Sequence, residues 1–269
     1  MRFPLVGSAG AKARAIYNTG VTAILCVNTN AGLVIGADGV RVANDGKQVC
    51  DSVQKIFLTN QPNFHGAHAW TNCEEIAHTV APAFRFSEET QSVIESVPQT
   101  NVALSDLLTR TAGEIYKKLL NRFGQWIDPR ILQETEVTSA LFVGYIGQQP
   151  QGACLTFPHR NGFLSHPSVR PIEMPVGFPS LLAGSVRVLK DVWPTDSSTT
   201  TLAISQGTEL VQRYLETCIA QRDTQADCHY IGGHIHIAKV THERADWLVP
   251  PKGQDRETPD AEDGNSLDG

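Results

Sequence analysis

Residues 20–41 read GVTAILCVNTNAGLVIGADGVR: two short apolar runs, AILCV and GLVIGA, joined by the turn residues NTNA and followed by a single acid, Asp38. Runs this apolar predict a hairpin covered on both faces, because a strand with one wet face alternates apolar and polar residues. A third strand is predicted in SVQKIFLT at 52–59, which carries Lys55, and a fourth in AHAW at 67–70.

Further along, TNCEEIAHTVAPAF at 71–84 predicts a helix capped by Thr71 or Asn72, with Glu74 and Glu75 in its first turn. The clearest helix is SDLLTRTAGEIYKKLLNRF, where Leu107, Leu108, Ala112, Ile115 and Leu119 recur at helical spacing behind Ser105 or Asp106 as cap. SALFVGYI, GACLTFP and NGFLSHP, separated by GQQPQ and HRNG, predict a meander. Two more helices are predicted in SLLAGSVRVLKDVW and ISQGTELVQRYLETCIAQR, then a closing strand in HIHIAKVTH. The segment from Trp247 onward is rich in proline and acids and predicts a disordered tail. The order lacks regular βαβ alternation, which predicts an α+β fold with antiparallel sheets. We read one domain over 22–249 and an acidic tail over 250–269; a break near 98–103 is the two-domain alternative.

The 269 residues are 41% hydrophobic, enough for a substantial core. A formal net charge of −6 without any Lys/Arg block argues against nucleic acid or an anionic membrane surface as the main partner. The six cysteines form no CxxC pair, which fits reduced, packing thiols and a cytoplasmic protein. The N-terminus is a poor signal peptide, broken by Pro4 and Gly7, and no apolar run is long enough to span a membrane.

The hairpin, the acid at its end and the lysine one strand later resemble the proteasome-type branch of the N-terminal nucleophile hydrolases. In that family a threonine opens the first strand, an Asp ends the second and a Lys lies on the next; GLVIGADGVR and SVQKIF supply Gly32, Asp38 and Lys55. Sixteen positions separate Thr22 from Asp38 and seventeen separate Asp38 from Lys55, close to the family's intervals. SALFVGYIGQQPQGACLTFPHRNG looks like the family's central hairpin, and YIGGHIHIAKVT like its last strand, reached through a glycine pair. The resemblance implies a four-layer αββα sandwich of two antiparallel sheets. It also implies a threonine-type peptidase without a cofactor, acting on peptide or unfolded protein and assembled into a homo-oligomeric ring.

On this resemblance residues 1–21 are a propeptide or N-terminal extension, and cleavage after Val21 makes Thr22 the nucleophile. An N-terminal threonine carries its own base, since a free α-amine titrates near ~8 and can take the hydroxyl proton. Lys55 then supports the amine and the alkoxide, and Asp38 holds Lys55. Ser185 falls where the family has a supporting serine, and Ala69 or Trp70, in a turn HAWTN, falls where it prefers a glycine that helps bind the oxyanion.

Each assignment has a plainer alternative. GVTAI is also close to the non-catalytic outer-ring subunits, in which alignment Val21 takes the nucleophile's place, and Thr19 is a third start. The chain is then a silent subunit that serves as a ring component or binding scaffold. Asp38 and Lys55 read as a core salt bridge, Ser185 as a helix cap, and Thr22 as a strand residue. The family's Asp and Ser before the glycine pair correspond only loosely to Asp227 and Ile231, and Trp70 is placed to crowd the cleft. His234 and His236, with Cys228, His229 and His242 nearby, fit no standard zinc spacing and read as a polar, partly exposed strand face rather than a metal site.

Overall fold

The hairpin forms as β1 (Ile24–Thr29) and β2 (Gly32–Ala37), and every residue of both strands is buried. The computed structural model describes residues 14–15, 22–42, 48–62, 64–72, 75–77, 82–96, 103–127, 136–177, 179–193 and 202–252. Beyond the hairpin run β3 (Ile56–Gln61), β4 (Phe64–Asn72), α1 (Phe86–Ser96), α2 (Leu104–Phe123), β5 (Glu136–Ile146) and β6 (Gln149–Arg160). They are followed by β7 (Phe163–Leu164), β8 (Ser168–Ile172), β9 (Pro179–Ala183), α3 (Val186–Val192), α4 (Ile204–Ala220), β10 (His236–Val240) and β11 (Ala245–Val249).

One antiparallel sheet has the order β9-β1-β2-β10-β11, and the second β7-β6-β5-β4-β3, with β8 also paired to β6. Three apolar layers separate the elements. Leu25, Val27 and Val34 of the hairpin pack toward Val211, Tyr214 and Leu215 of α4. Ile24, Cys26, Leu33 and Ile35, the alternate residues, meet Ala67, Ala69, Leu141 and Val143 of the second sheet. On that sheet's far side, Trp70, Phe142 and Phe157 pack against Phe86, Leu108, Ile115 and Leu119 of α1 and α2. The molecule is therefore an α+β sandwich, helices outside and two antiparallel sheets within. The hairpin is apolar on both faces because one face meets a helix and the other a sheet. Each fully buried Leu, Ile or Val there contributes about 1.5–3 kcal/mol of transfer free energy.

Several elements differ from the sequence expectation. Thr71 and Asn72 cap no helix: they extend β4 opposite Ser139 and Thr138, and the Thr71 and Thr138 hydroxyls donate across the ladder to each other's strands. The helix begins only at Phe86, after the short strands Glu75–Ala77 and Phe84–Arg85 have paired. In SLLAGSVRVLKDVW the first residues form β9 against β1, and helix begins after Ser185. Helix α2 starts one residue before the expected caps, its Leu104 N–H donating to Gln151 Oε1 of β6 at 2.9 Å. Of the segment read as a tail from Trp247, residues 247–249 belong to an edge strand on β10, Ala245–Val249. Residues 253–269 of the tail, and residues 1–21 apart from Arg14–Ala15, lie outside the described residues.

Candidate active site

Register places the three polar residues together. Ile24 lies opposite Ala37, so Thr22, just before β1, comes beside Asp38, just after β2, while Lys55 immediately precedes β3. Lys55 Nζ donates to Thr22 Oγ1 at 3.2 Å and to Asp38 Oδ1 at 3.0 Å. The group is buried, with relative exposures of 2% for Thr22, 0% for Asp38 and 4% for Lys55. A buried ion pair is tolerable only when its remaining hydrogen-bonding capacity is filled. Here the Ala23 N–H donates to Asp38 Oδ1 at 2.9 Å, and the Gly232 and Val40 N–H groups donate to Oδ2 at 3.1 and 3.4 Å.

The glycines around Asp38 make this cradle possible. A Cβ at Gly39 would stand 2.6 Å from the His234 carbonyl oxygen, and Gly233 has φ +74° with the Asp51 carbonyl where a Cβ would go. The close backbone approach lets Gly39 N–H donate to Gly232 O at 3.1 Å and Val53 N–H to Gly39 O at 2.8 Å. The pair IGGH thus does more than lead into the last strand: Gly232 supplies one of the N–H groups that hold the carboxylate.

His236, the first residue of β10, positions Lys55 from behind. Its Nε2 accepts from the Lys55 N–H at 3.0 Å and the Ile56 N–H at 3.3 Å. This corrects the reading of a partly exposed histidine face, since His236 is only 1% exposed. Burial, and next the nearby Lys55 charge, push its pKa down to about 3. The neutral ring therefore keeps an acceptor aimed at the Lys55 backbone. Nothing in the sequence around HIHIAKV marks this role, because it depends on a pairing of β10 with β2 across the sheet. His234 interacts through Nε2 with the Pro250 carbonyl, and no cluster among the described residues is built to hold a metal ion.

Ser185 is buried, and its Oγ accepts from the Val188 N–H at 3.1 Å, capping α3. Among the described residues it makes no hydrogen bond to Thr22, so the structure brings three of the four candidate residues into one network. The expected oxyanion turn is absent: His68–Asn72 is continuous strand, and the Trp70 N–H donates to the Lys55 carbonyl at 3.4 Å. The Trp70 ring stands in the helix-side core against Phe86 and Phe142 and crowds no cleft. Asp227 is exposed on a short 3-10 turn and Ile231 is core, so neither supplies a polar group to Thr22.

A second histidine shares the electrostatics of His236. His68 is buried between the rings of Phe57 and Phe142, its Nε2 has no hydrogen-bond partner among the described residues, and burial lowers its pKa to about 3. Between pH ~6.5 and ~3 the unfolded chain binds protons at both positions that the folded chain does not. Stability is therefore full above pH ~6.5 and is lost as pH falls, by up to about 1.4 kcal/mol per pH unit for each histidine. Urea unfolding at pH 7, 6 and 5 is expected to show this slope, and His68→Leu is expected to remove about half of it. A slope unchanged in that variant would exclude His68 as a cause.

The fold and this cluster define a class: an α+β sandwich of two antiparallel sheets between helices, with a buried Thr–Lys–Asp network at one end of its central hairpin. Among solved structures it is similar to the Anbu (Gly-1) mutant from Hyphomicrobium sp. strain MC1, at a TM-score of 0.50 and 12% identity, covering 85% of this chain and 88% of that one. Anbu from Yersinia bercovieri, described as an ancestral beta-subunit, is similar at a TM-score of 0.49 and 13% identity, covering 84% of this chain and 87% of that one. At 12% identity the likeness to the first of these is one of fold. No family model matches the sequence, and no curated protein matches it.

Proposed function

We propose that this chain is a proteasome-like threonine peptidase whose nucleophile, Thr22, becomes N-terminal when residues 1–21 are removed. The observation that carries this reading is Lys55 Nζ donating at once to Thr22 Oγ1 and Asp38 Oδ1. The fold likeness to Anbu supports it. Burial of Thr22 in the uncut chain also fits a nucleophile exposed only by processing.

In this mechanism the Thr22 hydroxyl gives its proton to the freed α-amine, and Oγ1 attacks the carbonyl carbon of a peptide bond. The C–N bond breaks, the leaving amine takes that proton, and an ester joins the acyl group to Thr22. Water then hydrolyses the ester and restores the hydroxyl. Lys55 donates to Oγ1 as negative charge develops there, a contribution largest in a dry, preorganised site. Asp38 and His236 keep Lys55 aimed, through its Nζ and its backbone respectively.

The substrate is an extended peptide or unfolded protein, and the working form is a homo-oligomeric ring in the cytoplasm. Exposure to a peptide β-lactone, which acylates an activated hydroxyl, tests the nucleophile: peptide mapping is expected to find the added mass on Thr22. An adduct elsewhere, or none, contradicts the mechanism and favours a silent ring subunit.

A further inference from the structure

The segment before Thr22 has one described contact with the fold, and it is a backbone pairing. Arg14–Ala15 lies antiparallel to Glu75–Ala77, with Arg14 opposite Ala77 and Ala15 opposite Ile76. Glu75–Ala77 is the middle strand of a three-stranded sheet whose other edge is Phe84–Arg85. That platform is anchored independently of the N-terminal segment. Ile76 and Phe84 are buried in the helix-side core, and Glu75 is held between Arg85 at 3.2 Å and Arg41 at 3.9 Å. Arg41 lies three residues beyond Asp38, which ties the platform to the end of the molecule that carries Lys55.

We propose that the outer edge of Glu75–Ala77 is a docking edge for an extended polypeptide, gripping it seven to eight residues before the bond that Thr22 cleaves. This rests on the peptidase reading above. Counted back from Val21, Ala15 is the seventh residue before the cut and Arg14 the eighth, so the chain's own N-terminal segment occupies the edge in the register a substrate takes. Seven extended residues span at most ~25 Å, which sets the reach between edge and nucleophile.

Two properties suit the edge to substrates of varied sequence. Strand addition reads main-chain N–H and C=O groups, so affinity does not require a particular side chain. A pairing only two residues long holds a free peptide weakly, so the N-terminal product dissociates once the peptide bond is cut and a detached peptide occupies the edge only when in large excess. The edge then stands with unpaired backbone groups, a template for the next extended chain. The edge therefore favours substrates that extend at least eight residues before the cleavage point over tetrapeptides.

Hydrogen exchange tests the edge without depending on catalysis. In a full-length Thr22→Ala chain, which keeps its N-terminal segment, the double change Arg14→Pro and Ala15→Pro removes whichever of these two N–H groups faces Glu75–Ala77, since neighbouring N–H groups of a strand point to opposite sides. Protection at Glu75–Ala77 is expected to fall at least tenfold, and adding a large excess of the synthetic peptide AKARAIYN, residues 11–18, is expected to restore it. Unchanged protection in the proline variant, or loss that the peptide does not restore, overturns the docking edge. With Thr22 intact, the same prolines are expected to slow conversion to a chain beginning at Thr22 at least tenfold. An unchanged rate despite lost protection overturns the role in the reaction. A parent chain that never converts refutes the peptidase reading and the substrate role with it, while the exchange result still decides whether the edge binds peptide.

Discussion

Thr22→Ala is expected to give a folded chain that keeps residues 1–21 and hydrolyses peptides at least ~10⁴-fold more slowly than the parent, the scale seen when a nucleophile that acts with its base is removed. The structural cost is small by comparison. Among the described residues the Thr22 hydroxyl accepts one hydrogen bond, from Lys55, and Lys55 keeps its ion pair with Asp38. Losing that bond costs about 1 kcal/mol, a modest part of a domain's stability. Thr22→Ser keeps the hydroxyl and is expected to retain both processing and hydrolysis at reduced rates. Peptidase assays beside urea denaturation separate the two effects: activity lost with stability intact is the expected pattern. Hydrolysis that survives in the purified Thr22→Ala protein places the nucleophile elsewhere.

Asp38→Ala carries the largest expected structural penalty, about 3–5 kcal/mol, because it strands a buried Lys55 charge. The same change orphans the Ala23 and Gly232 N–H groups, which donate to the carboxylate at 2.9 and 3.1 Å. These donors come from the start of β1 and the approach to β10, so the loss loosens both segments around the site. Asp38→Asn, which retains one acceptor, is expected to fall between parent and alanine variant. A midpoint shift in urea corresponding to less than 1 kcal/mol for Asp38→Ala would show that Asp38 does not organise this end of the fold.

How much of this was legible depended on whether a feature was local. The hairpin could be read because its apolar runs and NTNA turn are contiguous in sequence, and its burial on both faces follows from composition alone. Thr22, Asp38 and Lys55 could be singled out through the resemblance to the proteasome-type branch and its intervals, and the register of the tight hairpin then brings Thr22 beside Asp38. Helices α2 and α4 showed themselves through long periodic stripes.

The misread pieces are those where a distant partner decided the outcome. Thr71 and Asn72 have the chemistry of caps, yet the ladder with β5 claims their backbone. PSLLA is apolar enough for a helix start but fills the free edge of β1. WLV, read as the start of a tail, belongs to the strand Ala245–Val249 once β10 offers that strand an edge. His236 and Gly232 could not be connected to Asp38 and Lys55 from sequence, since nearly two hundred positions intervene and only the sheet brings them together. Ser185, readable as a helix cap or as a supporting serine, accepts from the Val188 N–H at the start of α3.

In the proposed mechanism the bond between Val21 and Thr22 is cut to create the active site, so the intact mass of the purified, assembled protein is decisive. A chain that begins at Thr22 is expected; an assembled chain that retains residues 1–21 rules the mechanism out.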